Sequence, residues 1–97
     1  MNQTILSARI AEAAALRYTP AGLPALDLLL AHESEALEAG LRRQVKVEIR
    51  AVAFGAHAET LARQAVGSGF RFTGFLAAFR GGRHPVLHIQ SFELDTI

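Results

Sequence analysis

From Val45 to Ala51 apolar and polar residues alternate strictly. Val45, Val47, Ile49 and Ala51 point one way, and Lys46, Glu48 and Arg50 point the other. A period of two marks a half-buried β-strand, and the strand it predicts runs from Leu41 to Phe54. The same period occurs upstream. Gln3 to Ala11 sets Leu6, Ala8 and Ile10 against Ser7, Arg9 and Ala11, a first strand. That strand either continues toward Arg17-Tyr18-Thr19 or gives way to helix in the alanine-rich stretch from Ala11 to Leu16, where helix propensity is high. Pro20-Ala21-Gly22-Leu23-Pro24 has turn chemistry, because proline fixes φ and glycine permits a positive one. Ala25 to Ser34 sets Leu26, Leu28 and Leu30 against Asp27, Leu29 and Ala31, a second strand. Glu35 to Gly40 is expected to be a solvated loop, with or without a helical turn, closed by its glycine.

After Phe54 the period changes. Ala58, Leu61, Ala62, Ala65 and Val66 recur at the spacing of one helical stripe, and Gly67-Ser68-Gly69 supplies a stop. Alternation returns from Phe70 to Phe79, with Phe70, Phe72 and Leu76 on one face and Arg71, Thr73, Phe75 and Phe79 on the other. Arg80-Gly81-Gly82-Arg83 reads as a tight hairpin connection, and Val86 to Leu94 as the last strand. Three strands, a short helix and a two-stranded hairpin follow the order of the OB-fold. This all-β architecture is a five-stranded Greek-key barrel with one short helix between strands three and four. The expected organisation is one domain over residues 1–97. Phe70, Phe72 and Phe92 are expected in the barrel core. Phe75 and Phe79 are expected on the opposite face, in a dimer interface or, for Phe79, against a base.

Composition narrows the class. The chain has 97 residues, of which 51% are hydrophobic, enough for a core and against disorder. A domain this small makes a homodimer plausible. Cysteine is absent, which removes disulfides, thiolate metal sites and a cysteine nucleophile. Apolar runs such as Leu28–Ala31 are far too short to cross a bilayer, and no signal-peptide pattern is visible. The expected location is the cytoplasm, with no membrane partner.

The net charge of +1 decides little by itself, but its distribution is uneven. Arg42, Arg43, Lys46 and Arg50 gather on the third strand beside a single acid, Glu48, just after the acidic Glu33, Glu35 and Glu38. Either this is a surface for a polyanion or it is a solvated face with Glu48 pairing across strands. Arg80 and Arg83 flank a glycine turn, and Tyr18 is the only tyrosine. Catalytic constellations are poor. His84 and His88 stand roughly 13 Å apart if they share a strand, too far for one metal. No phosphate-binding glycine loop precedes a lysine. A non-enzymatic protein with no cofactor and no metal site is expected.

Several stretches carry a family resemblance: Pro20-Ala21-Gly22-Leu23-Pro24, Leu28 to Ser34, Glu38-Ala39-Gly40, Val66 to Gly69, Thr73-Gly74-Phe75 and Leu87 to Leu94. In this order and spacing the chain resembles the primosomal replication protein N (PriB) family, small dimeric relatives of bacterial single-stranded DNA-binding protein. The resemblance implies an accessory protein of DNA replication restart. Such a protein binds single-stranded DNA, docks and stimulates the PriA helicase, and assists loading of the replicative helicase. Other primosome proteins and single-stranded DNA-binding protein are further implied partners.

In that family basic residues of the loop between strands four and five contact DNA, and here Arg80 and Arg83 occupy it. The family also carries an exposed tryptophan on strand three and an aromatic near its start. The matching positions here are Lys46 and Leu41. The expected nucleic-acid-binding set is therefore Arg42, Arg43, Lys46, Arg50, Arg80 and Arg83, with Tyr18 placed either to stack a base or to serve structure. The alternative function is a protein–protein adaptor with weak or vestigial DNA binding. An oligosaccharide-binding domain is disfavoured, because tryptophan is absent and there is a single tyrosine.

Overall fold

Leu26, Leu28 and Leu30 share one side of a strand by its period of two, and so do Phe70 and Phe72. These sides face inward and close a barrel. A computed structural model describes residues 1–95. Their elements are β1 (Thr4–Ala13), β2 (Arg17–Tyr18), β3 (Pro24–Glu38), β4 (Leu41–Phe54), α1 (Ala56–Ala62), β5 (Gly69–Ala77) and β6 (Val86–Leu94). The strand order is β1-β5-β6-β4-β3-β2, and an additional β1–β3 pairing closes the barrel. All pairings are antiparallel except β4 with β6, which run parallel where Arg50 to Val52 meet Val86 to His88. This is the expected OB-fold. Ile10, Leu26, Leu30, Leu61, Phe72 and Leu87 are fully buried at its centre. No helix of the described residues is long and apolar enough to cross a membrane.

Tertiary pairing resolves the ambiguous first strand. β1 continues to Ala13 despite its alanines, because Thr4 to Arg9 pair with β5 and Arg9 to Ala13 pair with β3. Both halves thus gain ladder bonds that a helix would forgo. A bulge between Ile10 and Glu12 lets one strand serve both sheets. After a break at 14–16 the chain resumes as β2, with Arg17 opposite Ala25 and Tyr18 opposite Pro24.

The expected loop from Glu35 to Gly40 is instead a ribbon. β3 runs on to Glu38 and pairs with β4 residue for residue, from Ala25 opposite Phe54 to Glu38 opposite Leu41. The turn is only Ala39-Gly40, with φ of 53° and 77°. Positive φ at both central residues defines the type I′ hairpin turn, whose twist matches that of the strands. Beyond the barrel both faces of the ribbon meet solvent, so the half-buried pattern expected for the whole strand holds only for its second half. Val47 is 45% exposed, whereas Ala51 and Ala53 are buried. His32 fastens the ribbon's root: its Nδ1 lies 2.5 Å from the Ser7 carbonyl oxygen and its Nε2 lies 2.8 Å from Ser34 Oγ.

Ala39 holds a left-handed conformation that costs an alanine about 1–2 kcal/mol. Ala39→Asn, which tolerates that region, is expected to steady the ribbon by about 1 kcal/mol. Amide hydrogen exchange checks this: protection of the ribbon amides of Ala36 to Arg43 should rise roughly fivefold.

Two further boundaries differ from expectation. The helix spans Ala56–Ala62, not Ala58 to Val66, and buries Ala58 and Leu61 against the core. Backbone bonds from Gly67 N to Ile10 O and from Ile10 N to Ser68 O tie the following segment to β1, which ends the helix before Ala65 and Val66. β5 stops at Ala77, so Phe79 lies in the connection and not in the strand. That connection, residues 78–85, is longer than a tight hairpin. Within it Gly82 N donates to Phe79 O at 2.6 Å, and Gly81 takes a φ of 76°. These features make a turn with Arg80 and Gly81 at its corners. Phe70 and Phe72 are buried as expected. Phe92 is partly buried, packed on the core and edge-on to Phe70 at 5.5 Å. Phe75 stacks on His88 at 4.9 Å on the opposite side of the sheet.

Candidate nucleic-acid interface

The pairing of β3 with β4 decides what each base of β4 meets. Lys46 stands opposite Glu33, with Nζ 3.9 Å from the carboxylate. Arg42 lies 3.9 Å from Glu35. Arg43 donates to Glu38 at 2.8 Å. The partners are therefore Glu33, Glu35 and Glu38 of the facing strand and not Glu48, which stands opposite Ala31. Nor do the four bases share one face. The two-residue period puts Arg42, Lys46 and Arg50 on the outer face and Arg43 on the other.

Exposed ion pairs of this kind stabilise by about 0–1 kcal/mol each, so they fix little geometry. Their effect is on the field. Between Glu33 and Arg50 the ribbon carries four acids (Glu33, Glu35, Glu38, Glu48) and four bases (Arg42, Arg43, Lys46, Arg50). A phosphate arriving at Arg42, Arg43 or Lys46 meets the opposing field of a nearby carboxylate. The groove at the ribbon's root repeats this balance, with Arg9 and Lys46 against Glu33 and Glu48.

Arg50 differs. It stands opposite Leu29 on one side and Val86 on the other. Among the described residues it has no ion-pair partner, and neither do Arg80 and Arg83. The parallel β4–β6 pairing brings Arg50 to the root of the connection 78–85, where Arg80 and Arg83 are exposed. Arg50 also lines a cleft of ≈ 410 Å³ with Arg17, Asp27, Phe79 and Val86.

Arg17 and Asp27 were not among the expected site residues. They form a two-pronged ion pair, with Nε at 2.7 Å and Nη2 at 3.1 Å. The Asp27 hydrogen bond, and then its charge, raise the pKa of the Arg17 guanidinium above its ordinary value. Tyr18, next along β2, is 63% exposed and is not among the residues lining the cleft. The structure thus brings Arg50 together with the Arg80–Arg83 loop, and it sets Arg42, Arg43 and Lys46 apart along a charge-balanced arm. The Glu33–Lys46 pairing follows from the Ala39-Gly40 turn, because a two-residue hairpin fixes that register.

Among the described residues no three histidine, aspartate or glutamate side chains cluster to hold a metal ion. Arg71 pairs with Glu93 across β5 and β6.

Comparison with known proteins places the chain among single-strand binding proteins. A family described as "another single-strand binding protein family" matches residues 2–91. The replication restart protein PriB of Bordetella pertussis is 52% identical over 91 residues, covering 93% of this chain and 85% of that protein. The protein of the same name from Nitrosomonas europaea is 40% identical, covering 96% of this chain and 87% of that one. Among solved structures, PriB from Ralstonia solanacearum superposes with a TM-score of 0.89 at 37% identity, over 97% of each chain. The single-stranded DNA-binding protein of Thermus aquaticus superposes with a TM-score of 0.78 at 25% identity, over 99% of this chain and 51% of that one.

Proposed function

The chain belongs to the PriB family of single-strand binding proteins, and from that membership we propose that it binds single-stranded DNA in replication restart. The observation that carries this reading is Arg50, without an ion-pair partner among the described residues, on the outer face of β4 beside the loop of Arg80 and Arg83. These three arginines meet the phosphate backbone, which any sequence presents, so binding is sequence-tolerant and sensitive to salt. Arg42, Arg43 and Lys46 contribute less, since each already faces a carboxylate. The protein acts without catalysis, as a homodimer in the cytoplasm. It docks and stimulates the PriA helicase and assists loading of the replicative helicase, alongside other primosome proteins and single-stranded DNA-binding protein.

A second reading has its own observation. The ribbon exposes Leu37 and Leu41 near its tip, at 74% and 69%, between charges that cancel. That surface suits a protein more than a polyanion and favours an adaptor whose DNA binding is weak. Fluorescence anisotropy with labelled oligo-dT, run beside the same measurement with purified PriA, separates the two. Binding of both ligands supports the first reading. Helicase binding with no oligo-dT binding at low salt supports the adaptor and overturns the first.

A further inference from the structure

Single-strand binding without sequence preference combines a basic track with aromatic rings on which bases stack. This chain has no tryptophan. Some other ring must supply stacking if stacking occurs. Phe70 and Phe72 are buried, Phe92 packs on the core, and Phe75 is covered by His88. Of the tyrosine and the phenylalanines, Tyr18, Phe54 and Phe79 are the most exposed. Phe54 leans on His88, with ring centroids 6.3 Å apart. Of the three, Phe79 lines the cleft that holds Arg50, which has no ion-pair partner among the described residues.

Phe79 is half-exposed, and its backbone is held by the turn whose Gly82 N–H it accepts. Arg50 lines the same cleft, and the Arg17–Asp27 pair forms another part of its wall. The two prongs from Arg17 occupy both Asp27 carboxylate oxygens. The Arg17–Asp27 pair is neutral overall, so among the described residues the charge left without a partner in this cleft is that of Arg50, which draws the phosphate and leaves the base for the ring. With its carboxylate engaged, Asp27 is poorly placed to read a base edge, which suits sequence-tolerant binding.

We infer that Phe79 is the base-stacking residue of this chain, seating one nucleobase in the cleft while Arg50 holds an adjoining phosphate. The inference rests on the proposed single-stranded DNA reading and adds to it a site at the junction of β4 with the β5–β6 connection.

Because the chain lacks tryptophan, Phe79→Trp installs a sole indole at the site. Its emission should be quenched by oligo-dT, saturating together with anisotropy, whereas a sole indole from Leu37→Trp at the ribbon tip should report little change. Phe79→Ala and Phe79→Leu should each weaken oligo-dT binding by about 5- to 150-fold with an unchanged salt slope, and Phe79→Tyr should restore it. Arg50→Ala should instead shallow the log–log slope by about 0.7. Wild-type affinity in Phe79→Ala, or loss in Phe79→Ala without loss in Phe79→Leu, overturns the stacking role while leaving the DNA reading intact. No oligo-dT binding by the wild-type protein overturns both.

Discussion

Gly74→Ala is expected to be the most damaging single substitution in the barrel. A Cβ on Gly74 would overlap the backbone carbonyl oxygen of His88, with the carbonyl carbon at 2.9 Å and Ile89 Cα at 3.3 Å. Gly74 sits where the β5–β6 register shifts: Thr73 faces Ser91, Gly74 faces Ile89, and Gln90 is the extra residue. The obstacle is backbone held in a ladder, so no side-chain rotation relieves it. Overpacking costs about 1–3 kcal/mol and sometimes more, and a backbone collision belongs at or above the top of that range. For a domain whose whole stability is roughly 5–15 kcal/mol, a loss of about 3 kcal/mol should lower Tm by more than about 12 °C. Thermal unfolding followed by circular dichroism measures this. A Tm within 2 or 3 degrees (about 0.5 kcal/mol) of wild type would mean that β5 and β6 do not approach as described.

The second large effect is a gain. Removing the three ribbon carboxylates together, by Glu33→Gln, Glu35→Gln and Glu38→Gln, leaves Arg42, Arg43 and Lys46 without partners. The ribbon then changes from charge-balanced to a net of about +3, by the same count of its ionisable residues. Three more phosphates become available for neutralisation at about 0.7 per phosphate, so the log–log salt slope should steepen by up to about 2. Oligo-dT affinity at low salt should rise at least about tenfold, while stability falls little, since exposed pairs are worth about 0–1 kcal/mol each. Unchanged affinity and slope would show that the ribbon lies outside the path of the strand.

The barrel was legible in the sequence because its signals are local and redundant. Leu26, Leu28 and Leu30 alternate, the stripe through Ala58 and Leu61 changes the period, and the order of elements matches one small fold. What was not legible depended on pairing. Ala39 carries no turn signal of its own, since alanine seldom adopts positive φ. In the sequence the ribbon therefore looks like a loop, and the acids before it look separate from the bases after it. Once Glu38 faces Leu41, every cross-strand neighbour follows, and the basic strand becomes half of a balanced pair. Phe79 shows a related limit. The apolar run Phe75-Leu76-Ala77-Ala78-Phe79 offers no polar residue at which to end the strand, but pairing with β6 ends at Ala77 opposite Val86. The Arg17–Asp27 pair needed the short β2 edge, which no two-residue pattern announces.

We propose that Arg50, Arg80 and Arg83 supply the DNA face's uncompensated charge, while the facing carboxylates mute Arg42, Arg43 and Lys46 along the rest of the basic strand. Salt titration of oligo-dT binding distinguishes the two groups. The measurement compares wild type with two triple variants, one carrying Arg50→Ala, Arg80→Ala and Arg83→Ala, the other Arg42→Gln, Arg43→Gln and Lys46→Gln. The junction variant should shallow the log–log slope by about 2 and the ribbon variant by much less. A ribbon variant that loses the slope while the junction variant keeps it would contradict the claim.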